Sequence, residues 1–137
     1  MDYTQTLNTE LNENIQALEL MFNYGNVSQY LDVIHDLMNI HHLLHSWTFD
    51  RDAAAELIGS VYIKYYDFYK EIRNIPGVIT LPFAKAPDHI LISNLSLLLC
   101  YLKDKLRRMT ENSDTDILTL RTCSMVLDMI ENAPYAS

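Results

Sequence analysis

Leu91, Leu95, Leu98, Leu99, Leu102 and Leu106 stand three or four residues apart. At about 100° per residue that spacing puts all six on one side of an α-helix, whereas a strand would scatter them over both faces. The same period runs through most of the chain. Three glycines and four prolines in 137 residues leave little turn material, so the elements have to be long and few. The pattern predicts an all-α fold. It is a compact bundle of about five helices in one domain, residues 1–137, around a central apolar helix at about 88–109. Hydrophobic content of 49% against 20% charged residues excludes a disordered chain.

The first helix is expected from about Thr4 to Tyr24, with Leu7, Leu11, Ile15, Leu18 and Phe22 inward and Gly25 ending it. The second starts after an Asn26 or Ser28 cap and runs to about Trp47. Asp50 caps the third, which carries Ala54, Ile58, Val61, Tyr65, Phe68, Tyr69 and Ile72 inward as far as Asn74-Ile75-Pro76-Gly77. Residues 75–87 form the one long connection, with Val78, Ile79, Leu81 and Phe83 expected to cover the core. The fourth helix begins at Asp88, apolar on nearly every side in its first half. The fifth is capped by Ser113 or Asp114 and ends before Ala133-Pro134. Its core stripe is Leu120, Cys123, Val126, Leu127 and Ile130.

Formal net charge is −8, and residues 1–50 hold no Lys or Arg. An anionic half repels nucleic acid and anionic lipid and attracts basic partners. The acids are spread among apolar residues, which also disfavours a mimic of nucleic acid. The apolar run Ile90–Leu102 is too short and too polar to span a bilayer, and the acidic start is no secretory signal. A cytoplasmic protein with reduced thiols at Cys100 and Cys123 is expected, with no membrane and no nucleic acid among its partners.

Four of the five histidines lie between His35 and His45, in HDLMNIHHLLH. On a helical wheel His41 falls inward with Tyr30, Val33, Ile34, Leu37 and Leu44, and His45 falls on the flank. His35 and His42 fall on the back with Leu31 and Met38. The pairs His41/His45 and His42/His45 have spacings at which two rings meet. Zinc or di-iron needs three or four ligands, and His89 is the only other histidine, so neither a metal nor another cofactor is expected.

The pentad His35-Asp36-Leu37-Met38-Asn39 resembles the phosphoacceptor box of citrate-sensor-type histidine kinases and sporulation phosphotransferases, where His-Asp/Glu-x-x-Asn lies on an exposed helix face. The likeness covers five residues. It implies His35 as the phosphate-accepting nucleophile, with Asp36 and Asn39 as its neighbours. The separate histidine-phosphotransfer family has Lys and Gly where this chain has Met38 and Asn39.

No glycine-rich phosphate loop, G-x-S-x-G or C-x-x-C occurs. What remains is apolar surface that the core does not need. Leu118, Met125 and Met129 share a stripe on the fifth helix away from its expected core stripe. Leu31, Met38 and His42 lie on the back of the second. Methionines adapt to partners. These six residues are the expected interface of a protein-binding regulator or inhibitor that is not an enzyme. It would occlude or sequester a basic protein, one with an apolar groove, or a second copy of itself. The alternative is phosphotransfer through His35.

Overall fold

The computed structural model describes residues 3–20, 27–79, 86–111 and 116–132. Among them it is all-α. Its helices are α1 (Tyr3–Leu20), α2 (Val27–His45), α3 (Arg51–Lys64), α4 (Tyr66–Ile72), α5 (Asp88–Thr110) and α6 (Ile117–Asn132). Phe22, Gly25, Asn26, Leu81, Phe83, Ser113, Asp114, Ala133 and Pro134 lie outside the described residues, as does the side chain of Leu7.

The expected third helix is two. Asp50 caps α3 as its sequence requires, accepting a 3.1 Å bond from the Ala53 amide. At Tyr65 the backbone leaves helical geometry (φ −108°, ψ 55°). The hydrogen-bond ladder still bridges the break, from the Tyr65 amide to the Val61 carbonyl and from the Tyr69 amide to the Tyr65 carbonyl. The last helix starts with a different cap from the one expected. The Asp116 carboxylate accepts from the Thr119 amide at 2.9 Å and from the Thr119 hydroxyl at 2.6 Å. Partial desolvation acts to raise the Asp116 pKa, but these bonds and nearby backbone amides hold it below its ordinary value.

The chain divides into two compact units. The first holds α1, α6, residues 27–38 of α2 and residues 102–110 of α5. Here α1 packs on α6. Leu11, Ile15 and Leu18 of α1 are buried, as are Thr119, Thr122, Cys123, Val126 and Ile130 of α6. The core face of α6 is therefore turned by roughly 50° from the expected stripe, leaving Leu120 and Leu127 half-buried. Thr122 can enter the core because its hydroxyl donates to the Leu118 carbonyl at 2.7 Å. Burial pushes the Cys123 thiol up to about 12, with the Asp116 carboxylate adding to the shift, so it is an inert core thiol. Tyr30 of α2 is buried and donates to the Met109 carbonyl at 2.6 Å.

The second unit holds residues 39–45 of α2, the helices α3 and α4, and residues 88–101 of α5. Its centre is polar. Asn94, fully buried, accepts from the Tyr62 hydroxyl at 2.6 Å and the Ile79 amide at 3.2 Å. It donates to the carbonyls of Gly77 at 3.0 Å and Ile90 at 2.8 Å. One side chain thus fixes the segment after α4 to α5 and satisfies every group it buries. Gly77 is left-handed (φ 92°), the conformation in which the chain turns into this segment without strain. The phenol of Tyr62 is driven well above its ordinary pKa by burial, with Tyr69 nearby. Tyr101 stacks on Phe68 at 3.9 Å and meets Tyr65 edge-on at 5.7 Å. The six leucines of α5 are all buried. α2 buries a still wider arc, roughly 240° of its circumference, through residues that include Leu31, Asp36 and Ile40.

Candidate functional site

The histidine-rich end of α2 sorts by face. His41 and His45, one turn apart, stack at 4.0 Å with 24° between their planes. The His45 Nδ1–H donates to the His41 carbonyl at 2.9 Å. Burial, and behind it the neighbouring His45 and His42, lowers the His41 pKa to about 4, so this ring is neutral near pH 7. Its Nε2 is buried with no hydrogen-bond partner among the described residues. Ring lone pairs lie in the ring plane, so near-parallel rings aim them side by side and not at a common point, a poor start for a metal site. No group of three or more His, Cys, Asp or Glu among the described residues is placed to hold a metal ion.

His35 is exposed, and its Nε2 lies 3.3 Å from the Glu19 carboxylate of α1. Asn39 is exposed on the same face, one turn on. Asp36 points the other way and is only 7% exposed. The pentad therefore offers a nucleophile and an amide together. The carboxylate beside the ring belongs to Glu19, which sequence reading did not bring to it.

The expected interface residues differ in burial. Leu31 is 3% exposed and belongs to the core, because the buried arc of α2 reaches one edge of the side taken for its back, where His35 and His42 stay exposed. Met38 is half-buried and His42 exposed. Leu118, Met125 and Met129 are half-buried. Asn14 of α1 donates to the Met125 sulfur at 3.3 Å, so this stripe borders the α1–α6 packing and has a partner within the chain.

The free apolar surface lies elsewhere. α2 ends at His45, where Ser46 donates to the His42 carbonyl at 2.7 Å, and the chain turns through Trp47, Thr48 and Phe49 into the Asp50 cap. The turn projects Trp47, which is fully exposed. Beside it a groove of about 340 Å³ is lined by Leu43, Leu44, Phe49 and Ile92, with Ser46 and Ser96 as its polar points. Ile92, on α5, is 40% exposed. Trp47 was legible only as the end of a helix, since one aromatic at a helix terminus looks the same whether it packs inward or outward.

Acidic residues neighbour the groove's lining in the sequence, although none is part of the lining itself. Asp50 follows Phe49 directly, and Asp52 and Glu56 lie exposed one turn apart on α3. Asp88 lies one turn before Ile92 on α5. The cation among them, Arg51, is engaged by the Asp88 carboxylate at 3.5 Å and the Ala86 carbonyl at 2.5 Å. No helix among the described residues is long and apolar enough to cross a membrane. No family model, curated protein or solved structure matches the chain.

Proposed function

We propose that this chain is a protein-binding regulator that acts by occluding its partner, and that it engages the partner through the groove beside Trp47. One observation carries the reading. The chain's only tryptophan is held in full solvent contact next to an open apolar groove. Exposed aromatics with concave apolar neighbours are the usual anchors of protein interfaces. The shifted titratable groups have structural explanations instead of catalytic ones. Cys123 and Tyr62 are buried, Asp116 caps a helix, and His41 is packed against its neighbour. The test is affinity capture from native cells with the wild-type chain and with Trp47→Ala plus Ile92→Glu, together with a photoreactive residue at position 44. The same partner should be captured by the wild type, crosslinked at position 44 and lost with the double variant. Equal capture by both chains would refute the assignment.

A second reading is favoured by the exposure of His35 with a carboxylate at its Nε2. In it the ring takes a phosphoryl group from a phosphorylated regulator domain, with Glu19 orienting the ring. An acid-labile phosphohistidine lost in His35→Gln would establish it, and transfer that survives His35→Gln would end it.

A further inference from the structure

We infer that the Trp47 groove receives a second copy of this chain, Trp47 of each copy entering the groove of the other about a twofold axis. The inference rests on the protein-binding reading above and names what fills the groove when no other partner is bound. The lining describes its occupant. Leu44, Phe49 and Ile92 are apolar, Ser46 and Ser96 are the polar points, and no charged residue takes part. At about 340 Å³ the groove is at the small end of ligand-sized pockets, with room for one large ring and not for a helix. An indole that leaves water needs an acceptor for its N–H. The Ser46 hydroxyl already donates to the His42 carbonyl, so its oxygen is left to accept. The fitting occupant is therefore neutral and aromatic, with a single donor.

The chain holds one indole, fully exposed, and it stands beside this groove. A projection and a recess that fits it, side by side on one surface, are self-complementary, because a twofold rotation carries each to the other. Charge permits the approach. Residues 39–101, nearly all of the second unit, hold five Lys or Arg against six Asp or Glu, net −1, so −7 of the chain's −8 lies outside them. Copies meeting through the first unit would repel, whereas copies meeting at the groove bring together surfaces near neutrality. Two indoles of about 150–250 Å² each, with the groove surface they cover, bury on the order of 800 Å². That is below the roughly 1,200 Å² of a stable complex, so the dimer is transient, with a Kd of about 10–100 µM. The dilute chain is then a monomer with its groove open, and another partner competes with the second copy for the same recess.

The test is sedimentation of the whole chain from about 2 to 500 µM, a range that brackets the expected Kd. The mass should rise from 15.9 kDa toward twice that value. Tryptophan emission, which comes from Trp47 alone, should move to the blue over the same range. Trp47→Ala removes the projection and Ile92→Glu puts a charge in the recess, and each variant should stay monomeric with helicity unchanged. Mixed together they should associate again, since the first keeps the recess and the second the projection. A photoreactive residue at position 44 of the Trp47→Ala chain should then crosslink the Ile92→Glu chain and not another copy of its own. Raising the salt from about 0.05 to 0.5 M should leave the association unchanged or tighten it, because it screens repulsion between two anionic chains. A several-fold weakening by salt, a dimer that survives both substitutions, or a mixture that fails to crosslink would overturn the inference. So would a monomer at every concentration. If that monomer still captures a cellular partner through Trp47, the groove belongs to a different protein and the broader reading survives.

Discussion

The two units differ in which groups they leave to solvent, although the second also carries the Arg51–Asp88 pair and the first also buries Asp36, Thr119 and Thr122. In the first, charged side chains answer one another across the surface. Glu19 meets His35, Glu10 meets Arg121 at 2.7 Å, Glu131 meets Arg107 and Asp104 meets Arg108. Its large exposed apolar residues, Leu20 and Ile117, stand at helix ends. In the second, the satisfied polar network is inside, at Asn94, and apolar side chains are outside, at Trp47, Ile63, Tyr66, Ile75 and Ile92. Surface ion pairs contribute little to stability, typically below about 1 kcal/mol each. The pairing in the first unit therefore says more about a surface kept for solvent than about strength. Apolar residues left in water have no such use, and two of them, Trp47 and Ile92, lie at the groove.

The comparison breaks most sharply at Asn94. Asn94→Leu keeps the branching and the number of heavy atoms but leaves the Tyr62 hydroxyl, the Ile79 amide and the Gly77 carbonyl without this partner. Urea unfolding should show a loss of about 3–5 kcal/mol, and hydrogen exchange at the Ile79 amide should accelerate. Tyr62→Phe, which removes a single bond, should cost about 1 kcal/mol. If Asn94→Leu is neutral, the polar interior of the second unit is incidental.

In the first unit the corresponding test is Met125→Glu with Met129→Glu. As a spare stripe these positions would tolerate the change. Bordering α1, with Asn14 on the Met125 sulfur, they should not. A loss of about 2–4 kcal/mol is expected, from charge placed where apolar contact was. An unchanged melting temperature would return the stripe to the list of free surfaces.

These two positions also show what the sequence carried and what it did not. The leucine period of α5 and the Asp50 cap were legible because each is a local rule with one reading. Asn94 read as a polar interruption in an apolar helix. Three of its four bonds depend on Tyr62 and on residues 77–79, which only folding brings near. Thr119 and Thr122 are absent from the expected core stripe of α6, since their burial relies on hydroxyl bonds to Asp116 and to the Leu118 carbonyl that apolar periodicity does not register. The break at Tyr65 was hidden because Tyr65 fits the helical period on both sides of it. Of the site, the exposure of His35 was legible, but the burial of Leu31 and the projection of Trp47 were not.

The histidine pair gives a smaller, pH-dependent effect. His41 is held neutral in the fold, its pKa lowered to about 4 from 6.5. A depressed folded value means that the unfolded chain takes up the proton first. Its stability is complete above the unfolded pKa, falls as pH drops below about 6.5 and levels off near the folded value. Because the ring is only half-buried, the loss should be on the order of 1–2 kcal/mol. Denaturant midpoints measured across this window should slope downward toward acid in the wild type and less steeply in His41→Leu. Parallel slopes would mean that the ring is accessible to protons in the folded chain.

The smallest effect is the most discriminating. Trp47→Ala deletes the largest side chain in the sequence, and an aromatic-to-alanine change inside a core costs about 3–5 kcal/mol. Tyr30→Ala in the first unit should behave that way, since Tyr30 is buried and bonded to the Met109 carbonyl. Trp47 has no burial to lose, so its removal should move the unfolding free energy by no more than about 0.5 kcal/mol. Far-ultraviolet helicity and the denaturant slope should stay as in the wild type. A residue that does nothing for the fold while holding an indole in water is difficult to explain by folding alone, and the same variant should lose the captured partner. Should Trp47→Ala instead destabilise the chain by more than about 2 kcal/mol, the indole packs in solution, the groove is closed, and the contrast between the units disappears with it.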